Sequence, residues 1–113
     1  MVVLMRTAIL LFIGMAAAGQ EVHVVRVLAE RFSLTPSVVK VRQGELVEVR
    51  LRSDDTNHGF RIPELGINVI IPKRGRGEVK VRFVADRKGR FDFECSKACG
   101  AGHTIMRGTL VVE

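Results

Sequence analysis

The sequence predicts an all-β protein, a Greek-key antiparallel β-sandwich of two sheets packed face to face. Three observations carry this. Beyond residue 20, apolar and polar residues alternate with a period of two along much of the chain. Turn formers (Pro36, Gly44, Asp54-Asp55, Pro63, Gly66, Pro72, Gly75, Gly77 and Gly89) break the alternation at short intervals. No stretch longer than a turn or two has the 3.6-residue spacing of an amphipathic helix. Strands with one dry and one wet face bury the dry one by pairing sheets, commonly through Greek-key connections.

Taken in order, "EVHVVRVLA" and "SVVKVR" are the first strand candidates. In "ELVEVRLR", Val47, Val49 and Leu51 face one way while Glu48, Arg50 and Arg52 face the other. "INVII" follows. In "EVKVRF", Val79, Val81 and Phe83 oppose Glu78, Lys80 and Arg82. In "RFDFEC", Phe91, Phe93 and Cys95 share a face opposite Arg90, Asp92 and Glu94, and "GTLVV" closes the series.

The first twenty residues have a different build. One early cation, Arg6, precedes an apolar run from Thr7 to Ala18 that ends on Ala16-Ala17-Ala18, an A-x-A cleavage pattern. The run is shorter than the ~20 residues a membrane span needs. Residues 1–18 are therefore expected to be a secretory signal peptide, and 19–113 a single domain with no stable membrane span after cleavage. The expected location is exported, periplasmic or otherwise extracytoplasmic. At 113 residues, 47% hydrophobic and 27% charged, the chain suits one compact domain.

Lys and Arg number 18 against 12 Asp and Glu, a formal charge of +6. Nucleic acid is not the expected partner. The cations alternate with apolar residues as the wet faces of strands, and no aromatic residues interleave with them to stack on bases. The charge points to acidic partners or surfaces. The run Lys73-Arg74-Gly75-Arg76 reads as a solvated turn able to meet such a partner.

"CSKACGAGHTIM", residues 95–106, gathers both cysteines of the chain with His103 and Met106. Three readings compete. A disulfide is the default for two cysteines in an exported protein, but it would close a very small loop and leave His103 and Met106 without a role. Zinc could take Cys95, Cys99, His103 and a distant histidine, although C-x3-C-x3-H is not the usual spacing. Copper suits thiolate, imidazole and thioether together. A copper site of this kind takes one histidine from upstream, and His58 is expected on the loop after the strand ending near Arg52. His23 lies inside a strand pattern. Gly100, Gly102 and Gly108 let the backbone turn between the flanking strands. Asp54 and Asp55 are expected to cap a turn, and Ser96 to bond within its loop. No Ser-His-Asp arrangement, paired carboxylate site or phosphate loop is visible, so the chain is not expected to be an enzyme.

"SDDTNHGFRIPELG" followed by "CSKACGAGHTIM" resembles the copper-binding domain of cytochrome c oxidase subunit II, shared with nitrous oxide reductase. The resemblance runs from about Phe32 through Val112 and implies a cupredoxin fold with a dinuclear, CuA-type copper centre. It implies Cys95 and Cys99 as thiolate bridges between two copper ions, with His58 and His103 each on one ion. Met106 would be a weak ligand to one ion, and the Lys97 backbone carbonyl a weak ligand to the other. The oxidase subunit usually carries Glu where this chain has Lys97, a change a carbonyl ligand does not feel. It also has a tryptophan-containing aromatic stretch, and this chain has neither Trp nor Tyr. The expected role is an electron carrier with a redox protein partner; the alternatives are a periplasmic copper carrier with a copper-delivery partner, or a mononuclear copper protein using the same ligands.

Overall fold

The computed structural model describes residues 21–113. The expected signal peptide at 1–18 lies outside the described residues. Nine strands form: β1 Val22–Glu30, β2 Ser33–Thr35, β3 Val38–Val41, β4 Leu46–Ser53, β5 His58–Ile62, β6 Ile67–Ile71, β7 Val79–Val84, β8 Gly89–Glu94 and β9 Arg107–Val112. Two short 3-10 turns, Pro63–Leu65 and His103–Ile105, accompany them among the described residues. No helix among these residues is long and apolar enough to cross a membrane.

The strands form two sheets, β2-β1-β4-β7 and β3-β9-β8-β5-β6. The all-β sandwich is the one the alternation predicts, but each sheet is mixed rather than purely antiparallel. β1 runs parallel to β4, and β3 parallel to β9. The cause is the path after β1. The chain folds back as β2, crosses at Pro36 to the other sheet as β3, and returns as β4, so β1 and β4 enter their sheet from the same end. The other pairings are antiparallel.

Two strands escape the sequence pattern. β2 has three residues, too few to show a period. β5 is buried at every position but Arg61, because His58, Phe60 and Ile62 turn inward while Gly59, on the other face, is covered by Ser96. With both faces covered there is no wet side to alternate. His58 therefore opens a strand rather than sitting on a loop.

The core fills with the dry faces of both sheets. Val27, Ala29, Val47, Val49 and Leu51 come from one; Val39, Val41, Phe60, Ile62, Phe91, Phe93, Leu110 and Val112 come from the other. Each large side chain so buried contributes about 1.5–3 kcal/mol. The Phe60 and Phe93 rings meet at 5.2 Å, tilted by 39°, a favoured aromatic arrangement. Cys95, Cys99 and Met106 continue this core at one end. On the opposite, wet face of β4, Glu48 is buried too. Arg50 donates to it at 2.6 Å and Arg82 at 2.8 Å.

Candidate metal centre

The antiparallel β8–β9 ladder ends at Glu94 opposite Arg107. One more bond, from Cys95 N–H to the Met106 carbonyl at 3.0 Å, closes the base of the loop between them. Cys95 and Met106 thus start as neighbours, and the intervening residues fold back over them. The 3-10 turn His103–Ile105 is held by His103 N–H to Gly100 O at 3.2 Å and Met106 N–H to His103 O at 3.3 Å. From the next strand over, β5 delivers His58 to the same place. Arg61 of β5 pairs with Glu94 of β8 in the ladder, and their side chains meet at 2.8 Å.

All six donors expected from the sequence come together. The sulfurs of Cys95 and Cys99 lie 3.8 Å apart. A disulfide holds them at about 2.05 Å, so these two are unbonded. His58 Nδ1 stands 4.0 Å from the Cys95 sulfur, and His103 Nδ1 stands 3.8 Å from the Cys99 sulfur. The Lys97 carbonyl lies 3.1 Å from the Cys95 sulfur, and Met106 Sδ 3.7 Å from the Cys99 sulfur. The Lys97 side chain itself is exposed. The ligand atoms of His58, Cys95 and Cys99 all fall within 4.8 Å of one another. His58, Cys95, Cys99 and Met106 are buried, while His103 is partly exposed. His23 is elsewhere, on β1, paired with Glu45 at 3.1 Å.

The chain has clear relatives among known proteins. Residues 3–112 match the family model of the cupredoxin-like domain. The chain belongs to the cupredoxin-like family. It is 37% identical over 97 residues to cytochrome c oxidase subunit 2 of Thermus thermophilus, a match that covers 84% of this chain and 69% of that one. At the same identity it spans 55% of a second, longer subunit 2 from the same species. It is 32% identical over 104 residues to the nitrous-oxide reductase of Ralstonia nicotianae, covering 88% of this chain but 16% of that enzyme. Its fold matches the periplasmic domain of cytochrome oxidase subunit II from Bradyrhizobium japonicum with a TM-score of 0.74, at 17% identity over 85% of this chain and 86% of that one. The His and Cys cluster of this cupredoxin fits copper: soft thiolates and imidazole are the donors copper selects.

Several residues of the cupredoxin support the cluster without belonging to it. Asp55 does cap its turn, accepting from Thr56 N–H at 2.7 Å, and it also holds His58 Nε2 at 2.7 Å. A carboxylate can only accept, so the imidazole carries its proton on Nε2 and turns its Nδ1 lone pair toward the sulfurs. Burial pushes the Asp55 carboxyl up, but bonds from Arg31 N–H, His58 and Thr56 hold it below the ordinary value. Arg31 ties two segments together: its backbone N–H donates to Asp55 at 2.8 Å and its Nε to the Cys99 carbonyl at 2.9 Å. The adjacent Phe32 ring covers Gly102, where a Cβ would sit 2.4 Å from it. Gly102 is therefore needed for space, with φ −93°, whereas Gly100 has φ +140° and serves the turn.

Gly59 N–H donates to the Cys95 sulfur at 3.4 Å, a contact that favours the thiolate. A Cβ on Gly59 would lie 2.0 Å from Ser96 Oγ. Ser96 does not bond within its loop as expected: its buried Oγ has no hydrogen-bond partner among the described residues and packs against Gly59 instead. Burial, then the neighbouring Cys95, raises the Cys99 thiol to about 11. The metal-free loop therefore keeps that proton, and metal binding must expel it. Sequence reasoning missed Arg31, Phe32 and the second role of Asp55. Only the D-x-x-H spacing of Asp55 and His58 carried a signal.

Proposed function

We propose that the chain holds two copper ions through His58, Cys95, Cys99 and His103, with Met106 and the Lys97 carbonyl as weak ligands, and that it carries electrons. One observation carries this reading: the donors run imidazole, thiol, thiol, imidazole in steps of 4.0, 3.8 and 3.8 Å. Each sulfur has its own imidazole and its own weak donor, and both sulfurs face each other. A single copper would use one such half and leave the other cysteine buried without a role. Bound by these residues, copper would supply a one-electron redox couple.

The chain's own residues do the rest. Asp55 fixes the orientation of His58, and Gly59 N–H supports charge on Cys95. Arg31 and Phe32 brace the loop so that the ligands stay where they are when the charge changes. His103, the partly exposed imidazole, is the side on which an electron enters or leaves. In this reading the chain is a carrier rather than an enzyme, and its partner is a redox protein. The relatives include domains described as periplasmic, in keeping with export and removal of residues 1–18. Mass spectrometry of the protein from its host should then find a mature N-terminus close to residue 19.

Copper analysis tests the centre. The prepared protein should bind two copper ions per chain, and the oxidised form should show an unpaired electron coupled to two copper nuclei. Saturation at one ion with a single-nucleus spectrum would overturn the dinuclear reading.

A further inference from the structure

The outer face of the four-stranded sheet carries a charge arrangement that the fold does not require. Register sets Arg26 of β1 opposite Arg50 of β4, and Arg50 opposite Lys80 of β7. Arg52 and Arg82 stand on the same face. Like charges placed directly opposite one another across strands repel. Glu48 is shared by Arg50 and Arg82, and Asp54 meets Arg52 at 3.4 Å. Arg26 and Lys80 have no ion-pair partner among the described residues, nor does Arg74 on the turn after β6.

Of these cations, Arg26, Arg50, Arg52 and Arg74 line a furrow. A hollow of about 180 Å³ is bordered by Arg26, Thr35, Arg50, Arg52 and Glu78. It adjoins a second hollow of about 500 Å³ that shares Arg52 and Glu78 and adds Arg74. Four guanidinium groups thus face one carboxylate along the furrow. Its far end abuts the segment that holds His58, since Arg74 N–H donates to the Asp55 carbonyl at 3.0 Å.

We propose that this furrow docks an acidic, carboxylate-rich segment of a partner protein, next to the copper-binding end of the sandwich. Guanidinium groups pair with carboxylates in a bidentate fork. The concave shape admits a protruding chain to its floor, whereas a flat layer of lipid headgroups would touch only its rims. No aromatic side chain lines it to stack on a base. The inference concerns binding alone and does not rest on the number of copper ions.

A fluorescein-labelled octaglutamate peptide serves as the probe, followed by fluorescence polarisation with the purified chain at low ionic strength. Binding should be saturable and weaken as salt rises toward ~0.15 M. The double variant Arg26→Glu with Arg74→Glu, the two furrow cations without an ion-pair partner among the described residues, should lose at least about tenfold in affinity. Lys40→Glu with Arg90→Glu, the same charge change on the outer face of the other sheet, should change it by less than about threefold. If the reversal pair does not melt like the unmodified chain, Arg26→Gln with Arg74→Gln replaces it, with the same direction expected. Equal losses from both surfaces would overturn the proposal, because net charge alone would then explain binding. So would failure of the unmodified chain to bind the peptide. Tighter binding to phosphatidylglycerol vesicles, lost in the Arg26 and Arg74 variant while peptide binding persists, would assign the surface to a membrane and also overturn it.

Discussion

Replacing Gly59 by Ala should damage both the fold and the centre. The new Cβ would lie 2.0 Å from Ser96 Oγ and 3.0 Å from each of the backbone nitrogens of Ser96 and Lys97. Ordinary contact begins near 3.4 Å, so the first approach is short by about 1.4 Å and the other two by about 0.4 Å. Rotating Ser96 can relieve the first. The backbone contacts cannot be relieved that way, and either β5 or the ligand loop must retreat. Overpacking of this kind costs about 1–3 kcal/mol. For a domain of this size, about 2 kcal/mol lowers Tm by about 8–16 °C. The retreat also loosens the Gly59 N–H bond to Cys95 and shifts His58 beside it, so the thiolate-to-copper absorption should move. Adding Ser96→Ala removes the worst contact together with an unsatisfied hydroxyl, and should restore part of the Tm but not all of it. Thermal melts of the metal-free proteins and visible spectra of the copper-loaded ones measure both effects. A Gly59→Ala protein with an unchanged Tm and spectrum would refute the argument that β5 touches the ligand loop this closely.

Asp55→Asn keeps the shape but weakens the hold on His58 Nε2; copper affinity should fall about 10–100-fold, read by competition with a chelator, with the fold retained on circular dichroism. Cys99→Ser should leave one thiolate and convert the centre to a single-copper spectrum, checked by metal analysis and electron paramagnetic resonance. Glu48 is held at about 2 by its bonds to Arg50 and Arg82, below the ordinary 4.5. A depressed carboxyl stabilises the fold at pH above about 4.5 and loses that contribution as pH falls toward about 2. Urea midpoints should therefore drop between about pH 5 and about pH 2.5 in the unmodified chain, and drop less in Glu48→Gln.

The sequence by itself determined the features that depend on near neighbours. Alternation along β4, β7 and β8 decides which side chains face inward, because successive residues of a strand point to opposite faces. The ligand loop was legible for the same reason: Cys95, Cys99, His103 and Met106 lie within twelve residues, and two flanking strands fix where the loop begins and ends. The tertiary structure alone decided which distant pieces meet. Arg31 reaches the Cys99 carbonyl across 68 positions of the chain, and no local pattern encodes that. Being covered on both sides erases the alternation of β5, so His58 reads as a loop residue. The parallel pairs arise from a crossover at Pro36, whose effect depends on where the next strands settle. Glu48 looks like any solvated residue of β4; its burial comes from two arginine side chains, one on its own strand and one from β7, closing over it. Periodicity reports a residue's own strand, whereas these contacts depend on which strands become neighbours.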